Sequence, residues 1–341
     1  MRKVLALFLV ILMSVTLFAG CSQGDSAATG ETSEPAESAN PIKVVLLTST
    51  GGLGDRSFND AAYAGLKRAE EELGAEIKVI EPQSSADYLQ SLKTAASLNY
   101  DLVMTVGNDW ADSLETVMPN YPDVKFGAVN VKTEADNLAV AKFSDHEGSY
   151  LAGALAAKMS ESGTIGVIGG MDIPAIKRFV VGFEEGAKYA NPDIKVIPTY
   201  VGSFADPNKG KEFALQLMNE GADVIYHVAG KTGEGLFAAV KENEGVYAIG
   251  VDQDQDYIVE GKVLTSMIKR VDVAVYEFAK LVKEDAFTAG VHVYGVAEDG
   301  VSLSEMNYTK DLIPAEVLEE LESIRSQIAD GTIQVTDLFE Q

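Results

Sequence analysis

IKVVLLTSTGGLGDRSFND, residues 42–60, decides the fold. The first seven residues, IKVVLLT, form a short apolar run rich in β-branched and leucine side chains, with no helical period. Such a run reads as a strand buried on both faces, as in a parallel sheet. The next residues, 49–60, are rich in glycine and turn-forming types. A helical pattern then covers about 59–74, where Ala62, Leu66, Ala69 and Leu73 fall on one face. Strand, glycine-rich turn and helix in that order form half of a βαβ unit.

The same alternation runs outward through the chain. Strand patterns lie at 77–80, 101–106, 124–129 and 138–143, with helical patterns at 85–98 and 110–118. A second series follows Asp145: helices at 147–160, 173–189, 208–220 and 233–243 alternate with strands at 164–168, 194–201, 223–228 and 246–251. Strand 262–268, helix 271–285, strand 291–297 and a helix near 314–330 complete it. This pattern predicts an α/β fold with parallel, doubly wound sheets. The strands are too many for one compact sheet and show no eightfold repeat, so two lobes are expected. Ligands of open parallel sheets bind beyond the carboxyl ends of the strands. Here those edges carry STGGLGDRSFND (49–60), GNDWAD (107–112), GSFAD (202–206), AGKTGEG (229–235) and DQDQD (252–256). Two such edges facing each other make a closable cleft.

The N-terminus carries an address. Arg2 and Lys3 precede an apolar run from Val4 to Ala19, and Leu-Phe-Ala-Gly-Cys ends at Cys21. That is a secretory signal, 1–20, with a bacterial lipobox, so Cys21 is the expected lipidation site. Residues 21–41 hold no aromatic or large aliphatic side chain and read as a lipidated flexible tether of about 25 Å. The predicted location is the extracytoplasmic face of the cell membrane, through the lipid anchor. The 341 residues carry 27 Lys and Arg against 52 Asp and Glu, a formal charge of −25. That excess repels phosphate backbones and argues against nucleic acid as a partner. Three histidines and one cysteine leave little for a zinc site.

Catalytic motifs fail on spacing. AGKTGEG has the Gly-Lys-Thr tail of a phosphate loop, but the position needing its first glycine is Ile225. GGLGDRSF lacks the dinucleotide spacing, and no Gly-x-Ser-x-Gly elbow occurs. His227 and His292 lie in apolar strand patterns and read as buried structural residues. A hydrolase using Asp109, Asp112 and Asp252 as acid and base is the rival from another class.

SFND (57–60), GSYLAGALAA (148–157), GVIGGMDIPAIKRFVVGFEEGAKYANPDIKV (166–196), YVGSFADPNKGKEFA (200–214), GADVIYHVAGKTGEG (221–235) and IGVDQDQDYIVEGKVLTSMIKRVDVAV (249–275) closely resemble the basic membrane protein family. These are substrate-binding lipoproteins of ABC transporters, of which the purine-nucleoside receptors are the best understood. The resemblance spans 42–335. It implies the type I periplasmic-binding-protein fold, with two lobes joined by three hinge crossings near 143–146, 269–272 and 297–304. Lobe 1 would comprise 42–143 and 272–298, and lobe 2 would comprise 144–271 and 299–335.

The resemblance also implies a monomeric binding protein, not an enzyme, without cofactor or metal, delivering a nucleoside to permease and ATPase subunits. Phe58 and Phe204 match the two rings that sandwich the base, and stacking contributes roughly 1–3 kcal/mol per base. Asp252 and Lys269 match the ribose-binding positions, a carboxylate to accept and an ammonium to donate. Gly230 matches a close backbone approach to the sugar. Asp112 matches the base-edge aspartate, with Asp109 as its competitor, and Asn59 is a further base contact. Two positions depart from the family pattern. Ser49 stands where a second base-reading aspartate is usual, and Lys231 where a glycine is usual. They leave open a different sugar-bearing or heterocyclic ligand, and a signalling role remains the third reading.

Overall fold

The computed structural model describes residues 41–338. The signal, Cys21 and the tether to Asn40 lie outside the described residues. In the first half of the chain, strands β1 (Lys43–Leu47), β2 (Glu76–Ile80), β3 (Leu102–Val106), β4 (Lys125–Val129) and β5 (Leu138–Phe143) alternate with helices α1 (Phe58–Leu73), α2 (Tyr88–Ser97) and α3 (Ala111–Val117). The second half begins with α4 (Asp145–Met159), β6 (Thr164–Gly169), α5 (Pro174–Ala190), β7 (Lys195–Tyr200) and α6 (Pro207–Asn219). It continues through β8 (Val224–Val228), α7 (Glu234–Glu242), β9 (Tyr247–Asp252) and β10 (Val263–Lys269). Helix α8 (Val271–Lys283), β11 (Gly290–Tyr294), β12 (Val301–Leu303) and α9 (Ala315–Ala329) close the chain.

The strands form two six-stranded sheets, ordered β11-β5-β4-β3-β1-β2 and β12-β10-β9-β8-β6-β7. All pairings are parallel except β12 on β10. That three-residue antiparallel strand has no expectation in the sequence pattern, being too short to show a period. The chain passes between the sheets three times: at 143–145, at 269–271, and between β11 and β12. The third crossing starts earlier than the apolar pattern suggests. Beyond Tyr294 the backbone leaves the ladder because carboxylates take its donors. Gly295 N–H donates to Glu298 Oε2 at 2.9 Å and Val296 N–H to Glu147 Oε2 at 2.8 Å.

Alternation within each strand feeds both layers. Val44 and Leu46 of β1 pack with Ala62 and Leu66 of α1, while Val45 and Leu47 pack with Leu92 of α2 and Trp110 and Leu114 beside and on α3. Strand β8 divides likewise, Val224 and Tyr226 to one side and Ile225 to the other with Leu236 and Val240 of α7. Each apolar run is therefore covered on two faces, as a parallel sheet requires.

Helices α4 and α5 approach unusually closely, because glycines line their seam. A Cβ at Gly182 would lie 2.2 Å from His146 O, one at Gly186 1.9 Å from Tyr150 O, and one at Gly153 2.0 Å from Phe183 O. Glycine inside a helix costs roughly 1 kcal/mol against alanine. The cost persists here because no side chain fits between the backbones. The resulting seam covers one face of the second sheet and sets where α4 begins, at the first crossing.

Candidate functional site

The site residues collect at the carboxyl edges of the two sheets. The loop after β1 is shaped by Asp55, a buried carboxylate just ahead of α1. Its oxygens accept from the backbone N–H groups of Ser57 (2.9 Å), Asn59 (2.9 Å) and Asp60 (3.1 Å), and from Asn59 Nδ2 (2.9 Å). The Asn59 and Asp60 N–H groups are first-turn donors that no carbonyl within the helix reaches. Burial raises the Asp55 pKa, and the bonds from Asn59, Ser57 and Asp60 oppose that rise.

Ser49 and Asn59 are bonded together. Ser49 N–H donates to Asn59 Oδ1 at 2.9 Å, and Asn59 Nδ2 donates to Ser49 Oγ at 3.1 Å. With its other Nδ2 hydrogen on Asp55, the Asn59 amide is engaged within its own lobe. The neighbouring edge is joined through Tyr88, whose hydroxyl accepts from Thr50 N–H at 3.1 Å and donates to Asp109 at 2.6 Å. Its ring stacks on Trp110 with centroids 4.0 Å apart. Protein crowding around the Asp109 carboxyl raises its pKa, partly offset by the Tyr88 hydrogen bond. Asp112 stands on the first turn of α3 and is exposed. Among the described residues no side-chain hydrogen bond ties its carboxylate to the other site positions, whereas Asp109 is tied to the loop after β1.

On the second sheet, β9 ends at Asp252, a non-glycine residue with φ of 68°. Aspartate tolerates this left-handed conformation better than most residues, yet such positions concentrate at functional sites. The Asp252 carboxylate is buried and accepts a short hydrogen bond from Ser57 Oγ of the first lobe. Burial pushes its pKa up to about 6, and Lys269 and the Ser57 hydroxyl pull against that. Lys269, at the end of β10, is buried, with its Nζ 3.0 Å from Asp145 Oδ1. The ammonium also lies 4.8 Å from the Phe58 ring centroid, 5.2 Å from Phe143 and 5.4 Å from Phe179. Three aromatic faces around a desolvated cation are a favourable arrangement.

Phe204, half-buried in the loop after β7, lies against Gly170 and Gly230. A Cβ at Gly170 would meet the Phe204 ring at 2.3 Å, so this glycine lets the ring lie on the backbone. Gly230 has φ of 53°, and Thr232 N–H beside it donates to Phe204 O at 3.1 Å. The fold thus groups Ser49, Phe58 and Asn59 on one edge, with Asp252 and Lys269 meeting them from the other. Phe204 and Gly230 share a second patch on that other edge, and Asp112 stands apart.

Sequence reasoning missed several polar residues here: Asp55, Ser57, Asp145, Arg178, Gln253 and Gln255. Arg178 on α5 is fully buried, reaching Asp145 Oδ2 (3.4 Å), His146 Nδ1 (3.1 Å) and Asp337 Oδ2 (3.0 Å). An aspartate at or just ahead of a helix start, as at Asp145 and Asp55, was the available signal for those two. Nothing in the pattern marks Arg178. His227 is fully buried, while His292 is half-buried on the edge strand β11.

Residues 42–338 match the family model for ABC transporter substrate-binding proteins of the PnrA-like kind. The chain is 36% identical to an uncharacterized lipoprotein of Pyrococcus abyssi, over 98% of this chain and 85% of that protein. It is 34% identical to the ABC transporter nucleoside-binding protein BmpA of Lactococcus lactis, over 98% of this chain and 99% of that protein. A crystal structure of an ABC transporter solute-binding protein from Aeropyrum pernix superposes with a TM-score of 0.82 at 33% identity, covering 87% of this chain and 94% of that one. A two-lobed α/β body with its polar and aromatic residues gathered at facing sheet edges agrees with these likenesses, and the chain belongs to the PnrA-like family of ABC transporter substrate-binding proteins.

Proposed function

We propose that this substrate-binding protein captures a nucleoside, of the purine class, between its lobes and passes it to an ABC importer. One observation carries the reading: a buried carboxylate and a buried ammonium, Asp252 and Lys269, stand on the cleft edge that faces the Phe58 ring. A sugar diol needs an acceptor and a donor held in low dielectric, where bonds to charged groups contribute about 1.5–3 kcal/mol each. A heterocycle needs a flat apolar face, which Phe58 and Phe204 offer. The nucleoside-binding name of the Lactococcus relative supports the same class. Asp112, being exposed, contributes to the base edge less directly than Asp109 or the Ser49–Asn59 pair. The neutral Ser49 makes hypoxanthine- and guanine-type ring N–H groups weaker partners than an aspartate there would.

Cys21 is proposed as the lipid anchor, in keeping with the lipoprotein name of the Pyrococcus relative. The body then acts as a monomer at the extracytoplasmic face of the membrane. The testing experiment is a thermal-shift panel of nucleosides, free bases and sugars. Ligand at 100 times its dissociation constant adds about 2.7 kcal/mol of stability. A shift with purine nucleosides and none with bases or sugars is expected. A shift confined to another compound class would replace the nucleoside reading.

A further inference from the structure

We propose that Gln253 and Gln255 form a latch that holds the two lobes together independently of whatever the cleft binds. Both follow β9 on the second sheet, yet both donate to backbone carbonyls of the first lobe. Gln255 Nε2 donates to Arg56 O at 2.8 Å, and Gln253 Nε2 donates to Ser57 O at 3.0 Å. The short Ser57–Asp252 bond joins the same two loops, and the 3.8 Å ion pair between Arg56 and Glu234 ties the first of them to the start of α7. Arg56 itself has φ of 51°, which turns its carbonyl out of the helical path ahead of α1.

The Gln255 amide is oriented unambiguously. Its Oε1 accepts from Val251 N–H at 2.8 Å, an obligate donor, so Nε2 must face the Arg56 carbonyl. The same Oε1 lies 3.0 Å from His227 Nε2, which therefore carries the proton. Burial pushes the His227 pKa down to about 4, so the ring is neutral and Nδ1 is unprotonated. It is buried with no hydrogen-bond partner among the described residues, packed where a Cβ on Gly233 would come within 2.0 Å. Ser266 Oγ fixes the other end, accepting from Gln255 N–H at 3.0 Å. Gln255 is thus held on three sides by its own lobe and presents one donor to the other. His227 is a positioning residue, acting through Gln255. Because Phe58 follows Ser57 directly, the latch also sets where that ring stands before a ligand arrives, a form of preorganisation.

The test is amide hydrogen exchange on the ligand-free full-length chain. Gln255→Glu keeps an acceptor for Val251 and His227 but sets a carboxylate oxygen against the Arg56 carbonyl. Segment 52–60 of the first lobe should then exchange roughly tenfold faster, while β8 and β9 keep wild-type protection. An unchanged rate at 52–60 overturns the proposal. If β8 and β9 also loosen, Gln253→Glu decides, since Gln253 is only half-buried and its loss leaves the second lobe intact. Faster exchange at 52–60 in that variant upholds the latch, and a wild-type rate there overturns it.

Discussion

Lys269 Nζ and Asp145 Oδ1 lie 3.0 Å apart with both side chains buried, and the pair ties two of the three crossings together. Asp145 opens α4 just past the first crossing, and Lys269 closes β10 at the second. The contact is an ion pair rather than an aligned hydrogen bond. The other oxygen, Oδ2, accepts from Asn130 Nδ2 at 2.8 Å and faces Arg178. One carboxylate therefore stands between two buried cations.

Asp145→Asn should destabilise the protein strongly, because removing one partner of a buried pair leaves uncompensated charge. A loss of about 3–5 kcal/mol is expected in urea unfolding. A loss below about 1 kcal/mol would mean that Asp337 and the aromatic cage neutralise both cations unaided.

Asp252 should make stability fall with rising pH. Its folded pKa is raised to about 6, principally by burial. The folded state then holds a proton that the unfolded state has released. The stabilisation is complete below an ordinary carboxylate pKa of about 4 and is lost as pH rises through about 6. Its size is on the order of 2–3 kcal/mol. Asp252→Asn should flatten this part of the stability profile, as measured by unfolding at pH 4.5, 6 and 7.5, because the amide carries no charge to bury. A profile identical to wild type would assign the pH dependence to Asp55 or Glu147, which burial also raises.

Ligand recognition should separate into sugar and base halves. Asp252→Ala should cost roughly 1.5–3 kcal/mol for a ribonucleoside, and clearly less for its 2′,3′-dideoxy analogue. Phe204→Ala should weaken both about equally, since stacking ignores the sugar. Titration calorimetry on two variants and two ligands gives the comparison. Equal losses on Asp252→Ala would move the sugar contact to Asp254 or Asp256.

Gly186→Ala should cost more than any gain in helix propensity returns. The new methyl would sit 1.9 Å from Tyr150 O, so the two helices must separate. Overpacking of this kind costs about 1–3 kcal/mol, and thermal denaturation should record it. A more stable variant would show that the seam yields freely.

Cys21→Ala should move the protein from the membrane fraction to the soluble fraction, because the acceptor of the lipid is gone. Membrane retention without lipid labelling would point to an uncleaved signal as the anchor.

Much of the lobes' anatomy was readable because it is local. The apolar run at 43–47, the glycine turn and the helix from Phe58 each declare themselves within a few residues. The sheet-edge rule then placed Ser49, Phe58, Phe204, Gly230 and Asp252 on loops at strand ends. Lys269 is singled out only by the resemblance, since an isolated lysine after an apolar strand looks like any surface cation. Arg178, Gln253 and Gln255 escaped because their partners lie far along the chain: 33 residues to Asp145, 196 to Ser57 and 199 to Arg56. The strand β12 was missed because three residues carry no period.

By itself, the sequence determined the alternation of strands and helices, the number of layers and the family. Those follow from the spacing of apolar side chains and from long unbroken strings of similarity. Only the tertiary structure decided which polar groups are buried together. A carboxylate at Asp145 or Asp252 has the same chemistry in a turn as in a cleft. Asp252 gains its raised pKa and its partner hydroxyl, and Asp145 its cation, only when the rest of the fold packs around them and removes the water.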